Sequence, residues 1–350
     1  MPLEFTEEML KKKAAKEINI PLSDISALRL AKKSVDARKK NDVHFTVSVE
    51  LDVKDEKSIL GRFPPNKVCL VKNTSYSVPA AVKLRHRPLV VGFGPAGMFA
   101  ALYLAQAGLS PVVIERGSDV DTRTAAVEYY RRTGILSEHT NVQFGEGGAG
   151  TFSDGKLTTG IRDPRIGFIF REFVRFGAPE EILWSAKPHI GTDILRNVVK
   201  AVRSEIISLG GDVIFDAKLT GILSDKARVT GAVYEKNGRP QEIMTDSIIL
   251  AIGHSARDTF EYLRASDIEI TRKIFSMGVR IEHLQSDVNK SLYGSFAGHP
   301  ALPPADYKYA VHLPDGRSLY TFCMCPGGYV MSAASEKNTI VTNGMSLFAR

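Results

Sequence analysis

One stretch decides the fold of this chain: VVGFGPAGMFAALYLAQAGLSPVVIER, residues 90–116. It carries no charged residue before Glu115, so it fits a membrane span, a buried core segment or a nucleotide-binding cradle. Length alone permits a membrane helix. Glycines and prolines on both sides of MFAALYLAQA, however, mark turns at its two ends. The stretch therefore predicts a strand, a turn, a helix and a second strand, with no membrane span.

The turn carries the spacing G-x-G-x-x-G at Gly92, Gly94 and Gly97, with Pro95 and Ala96 between the last two glycines. The first glycine permits a tight turn, the second lets the backbone approach a pyrophosphate, and the third lets the helix pack against the strand. The helix N-terminus offers N–H groups and a positive dipole end to phosphate. The spacing therefore indicates a cradle for a diphosphate.

Glu115 stands about 20 residues after the turn, at the end of the second strand, where a carboxylate can accept hydrogen bonds from an adenosine ribose. The motif has both strands, the helix and the acid in order. It predicts dinucleotide binding, and a glycine-rich turn without a ligand is the alternative.

Composition indicates a water-soluble chain with two or three domains. Its 350 residues are 43% hydrophobic and 24% charged, as in ordinary globular proteins. The net charge of +7 arises in the N-terminal 88 residues, which hold 18 Lys and Arg against 11 Asp and Glu. Three cysteines are too few for a disulfide framework and the start has no apolar signal segment, so we expect a cytoplasmic location.

We expect an α/β fold with three units: a basic α+β domain over residues 1–85, a Rossmann-like domain over 86–270, and a partial, sheet-rich substrate or cap domain over 271–350. In the first, FTEEMLKKKAAKEI predicts a helix and VHFTVSVELDV a strand. KLRHRP, residues 83–88, resembles a linker.

The basic cluster KKSVDARKK, residues 32–40, is either a solvated face or a docking surface for an anionic partner. It lacks interleaved aromatic residues, which disfavours nucleic acid.

Two later segments bear on which dinucleotide binds, because a ribose acid serves both FAD and NAD. FGEGGAGTFSDGKL, residues 144–157, offers many backbone N–H groups to a large flat ligand; a flexible surface loop is the alternative. TDSIILAIGHSAR, residues 245–257, predicts a buried strand that ends in a close turn at Gly253. The order of these segments, with a β-meander between them, favours FAD.

From residue 87 to about residue 257 the chain resembles the two-dinucleotide-binding-domain flavoproteins. More narrowly, KKSVDARKK, FGEGGAGTFSDGKL, LAIGHSARDTFEYL and FCMCPGGYVMSAASE resemble an uncharacterised branch of FAD-dependent dehydrogenases. The resemblance implies a Rossmann-like FAD-binding domain with a parallel sheet and a β-meander. It also implies hydride transfer between FAD and an unidentified small substrate or NAD(P)H.

The cofactor contacts predicted from the motifs and the resemblance are Gly92, Gly94, Pro95, Ala96, Gly97, Glu115, Arg116, Gly147, Gly148, Gly150, Thr151, Lys156, Leu157, Leu219 and Gly253. In the related flavoproteins, the equivalent of Leu219 contacts adenine through its backbone. Lys156 is a candidate contact to a phosphate or to the flavin.

One feature departs from that resemblance. Flavoproteins of this architecture return late in the chain to the FAD domain with a glycine-rich segment and a closing helix. The sequence ends at SLFAR before such a segment. The resemblance therefore predicts a C-terminally truncated chain, and it leaves open whether FAD still binds.

Candidate catalytic residues are Cys323, Cys325 and His254, and no metal site is predicted. The C-x-C pair fits a redox pair, or alternatively two small buried side chains in a strand. His254 either approaches the flavin or begins a helix. His189 and His283 are predicted to be structural.

Two other functions compete with an FAD-dependent dehydrogenase. One is a non-catalytic dinucleotide-binding module whose basic N-terminal domain docks an anionic partner. The other is a dehydrogenase that uses NAD(P) alone.

Overall fold

The structure is a computed structural model, and it describes residues 1–71, 76–80, 82–153, 155–226 and 228–349. Asp154 of the predicted glycine-rich loop and Arg350 of SLFAR lie outside the described residues. The fold is mixed α/β with a parallel sheet at its centre, as predicted. Within the described ranges, no helix has both the length and the apolar character that crossing a membrane requires.

The described residues of the N-terminal unit include α1 (Glu7–Ile18), β1 (Ile25–Asp36), β2 (His44–Val53) and α2 (Glu56–Arg62). Thr6 caps α1 by accepting a hydrogen bond from Met9 N, and Glu7 and Glu8 complement the helix dipole. β1 and β2 form an antiparallel pair. The predicted helix and strand are both confirmed.

The described residues of the central unit include β3 (Leu89–Val91), α3 (Pro95–Gln106), β4 (Val112–Ile114), α4 (Val120–Thr133), α5 (Arg165–Arg175), α6 (Thr192–Ser208), β5 (Asp212–Ile214), β6 (Ala217–Asp225), β7 (Arg228–Lys236), β8 (Arg239–Met244), β9 (Ile248–Leu250) and α7 (Arg257–Ala265). In the parallel sheet, β4 and β9 flank β3, and β5 lies beyond β4. The predicted β-meander is the antiparallel sheet β6–β7–β8.

The two central strands of the parallel sheet, β3 and β4, are buried on both faces. Val90 and Val113 pack against α3 and α6 on one side. Leu89 and Ile114, whose side chains point to the opposite face, pack against the meander through Leu219 and its neighbours. Because both of their faces are covered, these two strands are uniformly apolar, which is the pattern of a parallel sheet.

The C-terminal unit contains α8 (Gln285–Tyr293), β10 (Ala310–His312), β11 (Ser318–Tyr320), β12 (Tyr329–Ser332) and β13 (Thr342–Met345). Its strands form two separate antiparallel pairs. The unit shares a core with the N-terminal unit, since Leu3 and Phe45 pack with Val288 and Tyr293. The predicted boundaries at residues 85 and 270 stay a prediction.

The predicted linker, residues 83–88, has no helix or strand, but hydrogen bonds from its main chain and side chains hold it to the central unit. His86 N donates to Asp246 Oδ2 at 2.9 Å. Arg87 Nη1 pairs with Asp212 Oδ2 at 2.6 Å. The entry to β3 is therefore anchored at two neighbouring residues.

Two cations of the basic cluster at residues 32–40 make internal contacts. Lys33 Nζ lies 4.2 Å from the ring centroid of Phe45 and 5.5 Å from that of Trp184, and burial lowers its pKa. Arg38 pairs with Asp36. Lys33 N also donates to Trp184 O at 2.8 Å, which joins the N-terminal and central units. Docking of an anionic partner here stays a prediction.

Candidate functional site

A cavity of about 580 Å³ opens where β3, β4 and β9 end. In open parallel sheets this carboxyl edge is where ligands bind, and the volume is that of a typical ligand site. Eleven of the residues predicted from the sequence line it: Gly92, Gly94, Pro95, Ala96, Glu115, Arg116, Gly148, Gly150, Leu219, Gly253 and His254.

The turn at residues 92–97 is packed so closely that glycine is required at two positions. Gly92 has φ +97°, and a Cβ there would lie 2.5 Å from Ala251 O. A Cβ on Gly97 would lie 1.9 Å from Gly92 O. Gly97 is therefore behind the cavity wall, where it lets α3 sit against the end of β3, as the spacing predicts.

The N-terminus of α3 faces the cavity without a side-chain cap. Gly94 is the N-cap residue and Pro95 follows it, and among the described residues no side chain caps the first turn. Pro95 has no N–H to satisfy. The remaining first-turn N–H groups and the helix dipole are the groups that could hold an anion at the cavity edge.

Glu115 is buried, with 5% of its surface exposed, and it lines the cavity. Its carboxylate accepts hydrogen bonds from Phe93 N at 2.7 Å, and from Gly117 N and Gly145 N at 2.9 Å each. A carboxylate has about four acceptor positions. Three are used by the backbone, so one is left for a ligand hydroxyl.

Arg116 is fixed in the cavity wall from two sides. Its Nη2 donates to Asp258 Oδ1 at 2.8 Å and to Thr259 Oγ1 at 3.0 Å. Its guanidinium carbon lies 4.4 Å from the ring centroid of Phe144. Burial acts to raise the pKa of Asp258, but the Arg116 and Lys218 cations outweigh it and the pKa lies below its usual value.

The glycine-rich loop meets the turn at residues 92–97 backbone to backbone. It contains a short 3-10 helix, Gly148–Phe152. A Cβ on Gly148 would lie 2.8 Å from Gly94 Cα. Gly147 and Thr151 support the loop from behind, since Thr151 is fully buried and its Oγ1 donates to Glu146 O at 3.3 Å.

Lys156 and Leu157 are not among the described residues that line the cavity. Lys156 forms an isolated β-bridge with His189. Leu157 packs against the core between the sheet and α6. After Gly150 the loop therefore leaves the cavity, and the contacts predicted for these two residues stay untested.

His254 lines the cavity just after the β9 turn, where Gly253 has φ +70°. Its Nδ1 lies 2.8 Å from Ser255 Oγ. α7 begins at Arg257, so His254 precedes the helix and is not its cap. Of the three predicted catalytic residues, it is the one that the structure brings to the cavity.

Cys323 and Cys325 are absent from the cavity lining described above. Cys323 is exposed and Cys325 is half-buried, and both lie in an irregular segment between β11 and β12. The alternative prediction, two small buried side chains in a strand, is wrong because regular pairing resumes only at Tyr329.

The two histidines predicted to be structural make internal contacts. His189 is buried, with Nε2 3.0 Å from Leu347 O. His283 Nε2 lies 3.0 Å from Tyr307 Oη. In the part of the chain that the structure describes, no group of three or more His, Cys, Asp or Glu residues is placed to hold a metal ion.

Two buried charged residues at the glycine-rich loop were not predicted from the sequence. Arg123 and Glu146 are each fully buried. Glu146 Oε2 accepts from Val120 N at 2.7 Å and pairs with Arg203 Nη1 at 3.1 Å, while burial raises its pKa. Arg123 shares one face of α4 with Val120 and Val127, which are buried. That spacing places Arg123 on the buried face of α4, but it does not show which groups compensate the buried charge.

Three family models match the chain. Residues 1–52 match a domain of unknown function, DUF8436. Residues 86–259 match the FAD binding domain. Residues 274–350 match the FAD-dependent protein, C-terminal domain-like family.

An uncharacterised protein of Clostridium beijerinckii is 46% identical over 345 residues, which cover 98% of this chain. The chain spans 64% of the length of that relative.

Solved structures match with lower identity. The THI4 protein of Thermovibrio ammonificans is 18% identical, with 53% of this chain and 64% of that chain covered and a TM-score of 0.36. The glycerol-3-phosphate dehydrogenase of Bacillus halodurans, complexed with FAD, is 15% identical, with 51% and 36% covered and a TM-score of 0.33. The central segment of this chain is thus similar to FAD-binding domains, and the segment after it to C-terminal domains of FAD-dependent proteins.

Proposed function

We propose that the chain is the cofactor-binding part of an FAD-dependent oxidoreductase. The finer proposal is a dehydrogenase that transfers hydride between FAD and an unidentified small substrate or NAD(P)H. One observation carries it: the uncapped N-terminus of α3, the buried carboxylate of Glu115 and the glycine-rich loop converge on one cavity. The match of residues 86–259 to the FAD binding domain supports the choice of FAD.

The cavity fits the ADP half of FAD in both shape and charge. The backbones of Gly94 and Gly148 are in close contact and neither residue has a side chain, so a diphosphate could lie against main-chain N–H groups there. Glu115 keeps one acceptor position for a ribose hydroxyl. Leu219, with Ala217 beside it on β6, offers an apolar surface to adenine.

Bound FAD would supply the hydride chemistry, and the protein would supply orientation and electrostatics. In this proposal the loop at residues 148–150 orients the flavin half and limits its access to water. Because Ser255 Oγ binds Nδ1 of His254, Nε2 is the atom we propose for contact with flavin or substrate. Roles for Cys323 and Cys325 in electron transfer remain a prediction, since the cavity lining does not include them.

The test is a visible spectrum of the purified protein after incubation with FAD and removal of free cofactor. We expect the two absorbance bands of oxidised flavin at one FAD per chain. FMN and NAD⁺, treated in the same way, serve as controls for cofactor identity. Anaerobic addition of NADH or NADPH then tests the finer proposal, since bleaching of the flavin bands reports hydride transfer. A protein that retains no flavin would contradict the proposal.

A further inference from the structure

The guanidinium of Arg123 is fully buried, and all five of its N–H groups donate hydrogen bonds to main-chain carbonyls. The acceptor distances run from 2.6 to 3.3 Å. The carbonyls belong to Asn141, Val142, Gly145, Glu146 and Gly148. One side chain of α4 thus binds five peptide groups of the loop that forms the cavity wall.

A buried charge is costly unless it is fully hydrogen-bonded, and here the carbonyl dipoles supply that compensation. Burial lowers the pKa of Arg123 to about 9, so the guanidinium keeps its charge at neutral pH. Phe152 covers it, with its ring centroid 4.8 Å from the guanidinium carbon. The guanidinium therefore makes its hydrogen bonds to the loop and has no contact with solvent.

The contacts of Arg123 determine where the loop's N–H groups point. In a planar trans peptide the carbonyl and the N–H point in opposite directions, so carbonyls gathered on Arg123 turn N–H groups away from it. Gly147 N, in the same peptide group as the Glu146 carbonyl, donates to Phe93 O at 2.8 Å, in the turn at residues 92–97. Gly145 N, one peptide group before the Gly145 carbonyl that Arg123 binds, donates to Glu115 Oε1 at 2.9 Å.

The loop backbone also packs closely against the side chain of Arg123 at Gly145. This glycine has φ +116°, and a Cβ there would lie 2.5 Å from Arg123 Cδ. The loop can wrap around the arginine because this residue has no side chain.

We propose that Arg123 is a positioning residue that sets the shape of residues 141–148 and thereby holds Glu115 and the turn at residues 92–97 ready for the cofactor. This inference rests on the proposed function for its effect on FAD, but its effect on the loop is independent of any ligand.

The experiment compares Arg123→Lys with the wild type and with Arg132→Lys, an exposed arginine of the same helix. Lysine keeps the charge but has three donors in place of five. We expect Arg123→Lys to speed amide exchange in residues 141–150 of the cofactor-free protein by about tenfold or more, because hydrogen bonds to a charged donor are the strong ones. We also expect the Kd for FAD to rise about tenfold, and the visible circular dichroism of bound FAD to change at saturation. Arg132→Lys should change none of these.

A second variant, Gly145→Ala, disturbs the contact between the loop and Arg123 while the arginine itself is kept. Gly145→Ala should produce the same exchange pattern, whereas Gly108→Ala should not, since Gly108 also has positive φ but has no atom within 4 Å of its Cβ position. Wild-type exchange and wild-type flavin dichroism in Arg123→Lys would overturn the inference. Failure of the wild type to bind FAD would contradict the proposed function, while the exchange comparison would still decide the role of Arg123 in the loop.

Discussion

The substitution Gly94→Ala should separate cofactor binding from folding. Gly94 has φ −75° and ψ −177°, a conformation that alanine adopts without strain. Its Cβ would lie 3.6 Å from Gly148 Cα, an ordinary van der Waals contact. We therefore expect the free energy of unfolding to change by no more than about 1 kcal/mol.

The same methyl group would occupy the position proposed for the diphosphate of FAD. A phosphate oxygen bound to a main-chain amide lies about 2.9 Å from its nitrogen, and a methyl group at the N-cap displaces it. Loss of one hydrogen bond to a charged group costs about 1.5–3 kcal/mol. At 1.4 kcal/mol per factor of ten, the Kd for FAD should rise about 10- to 150-fold.

Isothermal titration with FAD at fixed ionic strength measures the change in Kd, and urea unfolding of the cofactor-free protein measures stability. Gly61→Ala is the matched control, because a Cβ at Gly61 in α2 has no atom within 4 Å. A folded Gly94→Ala protein that binds FAD as tightly as the wild type would refute the reasoning.

Three further substitutions test other parts of the site. Gly97→Ala should destabilise the protein by about 3 kcal/mol or more in urea unfolding, because its Cβ would lie 1.9 Å from Gly92 O and α3 must move; unchanged stability would contradict the close packing. Asp258→Asn should weaken the protein by about 0.5 kcal/mol at pH 7, since its pair with Arg116 is partly exposed. The pKa of Asp258 is below its unfolded value of 3.8, so the difference from the wild type should close as pH falls below 3.8; a constant difference would argue against the ion pair. Glu146→Gln should gain stability relative to the wild type as pH rises above 4.5, because burial raises the pKa of Glu146 and its ionisation disfavours the folded state. The measurement is the free energy of unfolding of both proteins from pH 4.5 to 8. A difference between the two proteins that does not change with pH would contradict the prediction.

Much of the central unit could be predicted because its signals are local. The turn at residues 92–97, the two strands around it and the acid at Glu115 follow from spacing that a short βαβ unit imposes. The meander and the strand before Gly253 follow from apolar runs separated by turn residues. Ten of the fifteen predicted cofactor contacts line the cavity, and eight of these ten belong to these local units; the other two, Gly148 and Gly150, lie in the glycine-rich loop.

The rest depended on contacts between distant segments. The glycine-rich loop bends out of the cavity after Gly150, so Lys156 and Leu157 meet His189 and the α6 core instead, and nothing in FGEGGAGTFSDGKL marks that bend. Arg123 was missed because an arginine is normally exposed, and only the five carbonyls brought to it by the tertiary fold make its burial tolerable.

The contacts of the basic cluster could not be read from its sequence either. Lys33 lies near rings from both the N-terminal and the central units. A linear sequence does not show that these rings are neighbours.

Competition between ADP and FAD tests the central claim most directly, because the cavity is argued to hold the ADP half of the cofactor. The measurement is the Kd of FAD in the presence of increasing ADP, with FMN as the matched competitor that lacks adenosine. We expect ADP to displace FAD and FMN not to displace it. Displacement by FMN with no effect of ADP would contradict the central claim.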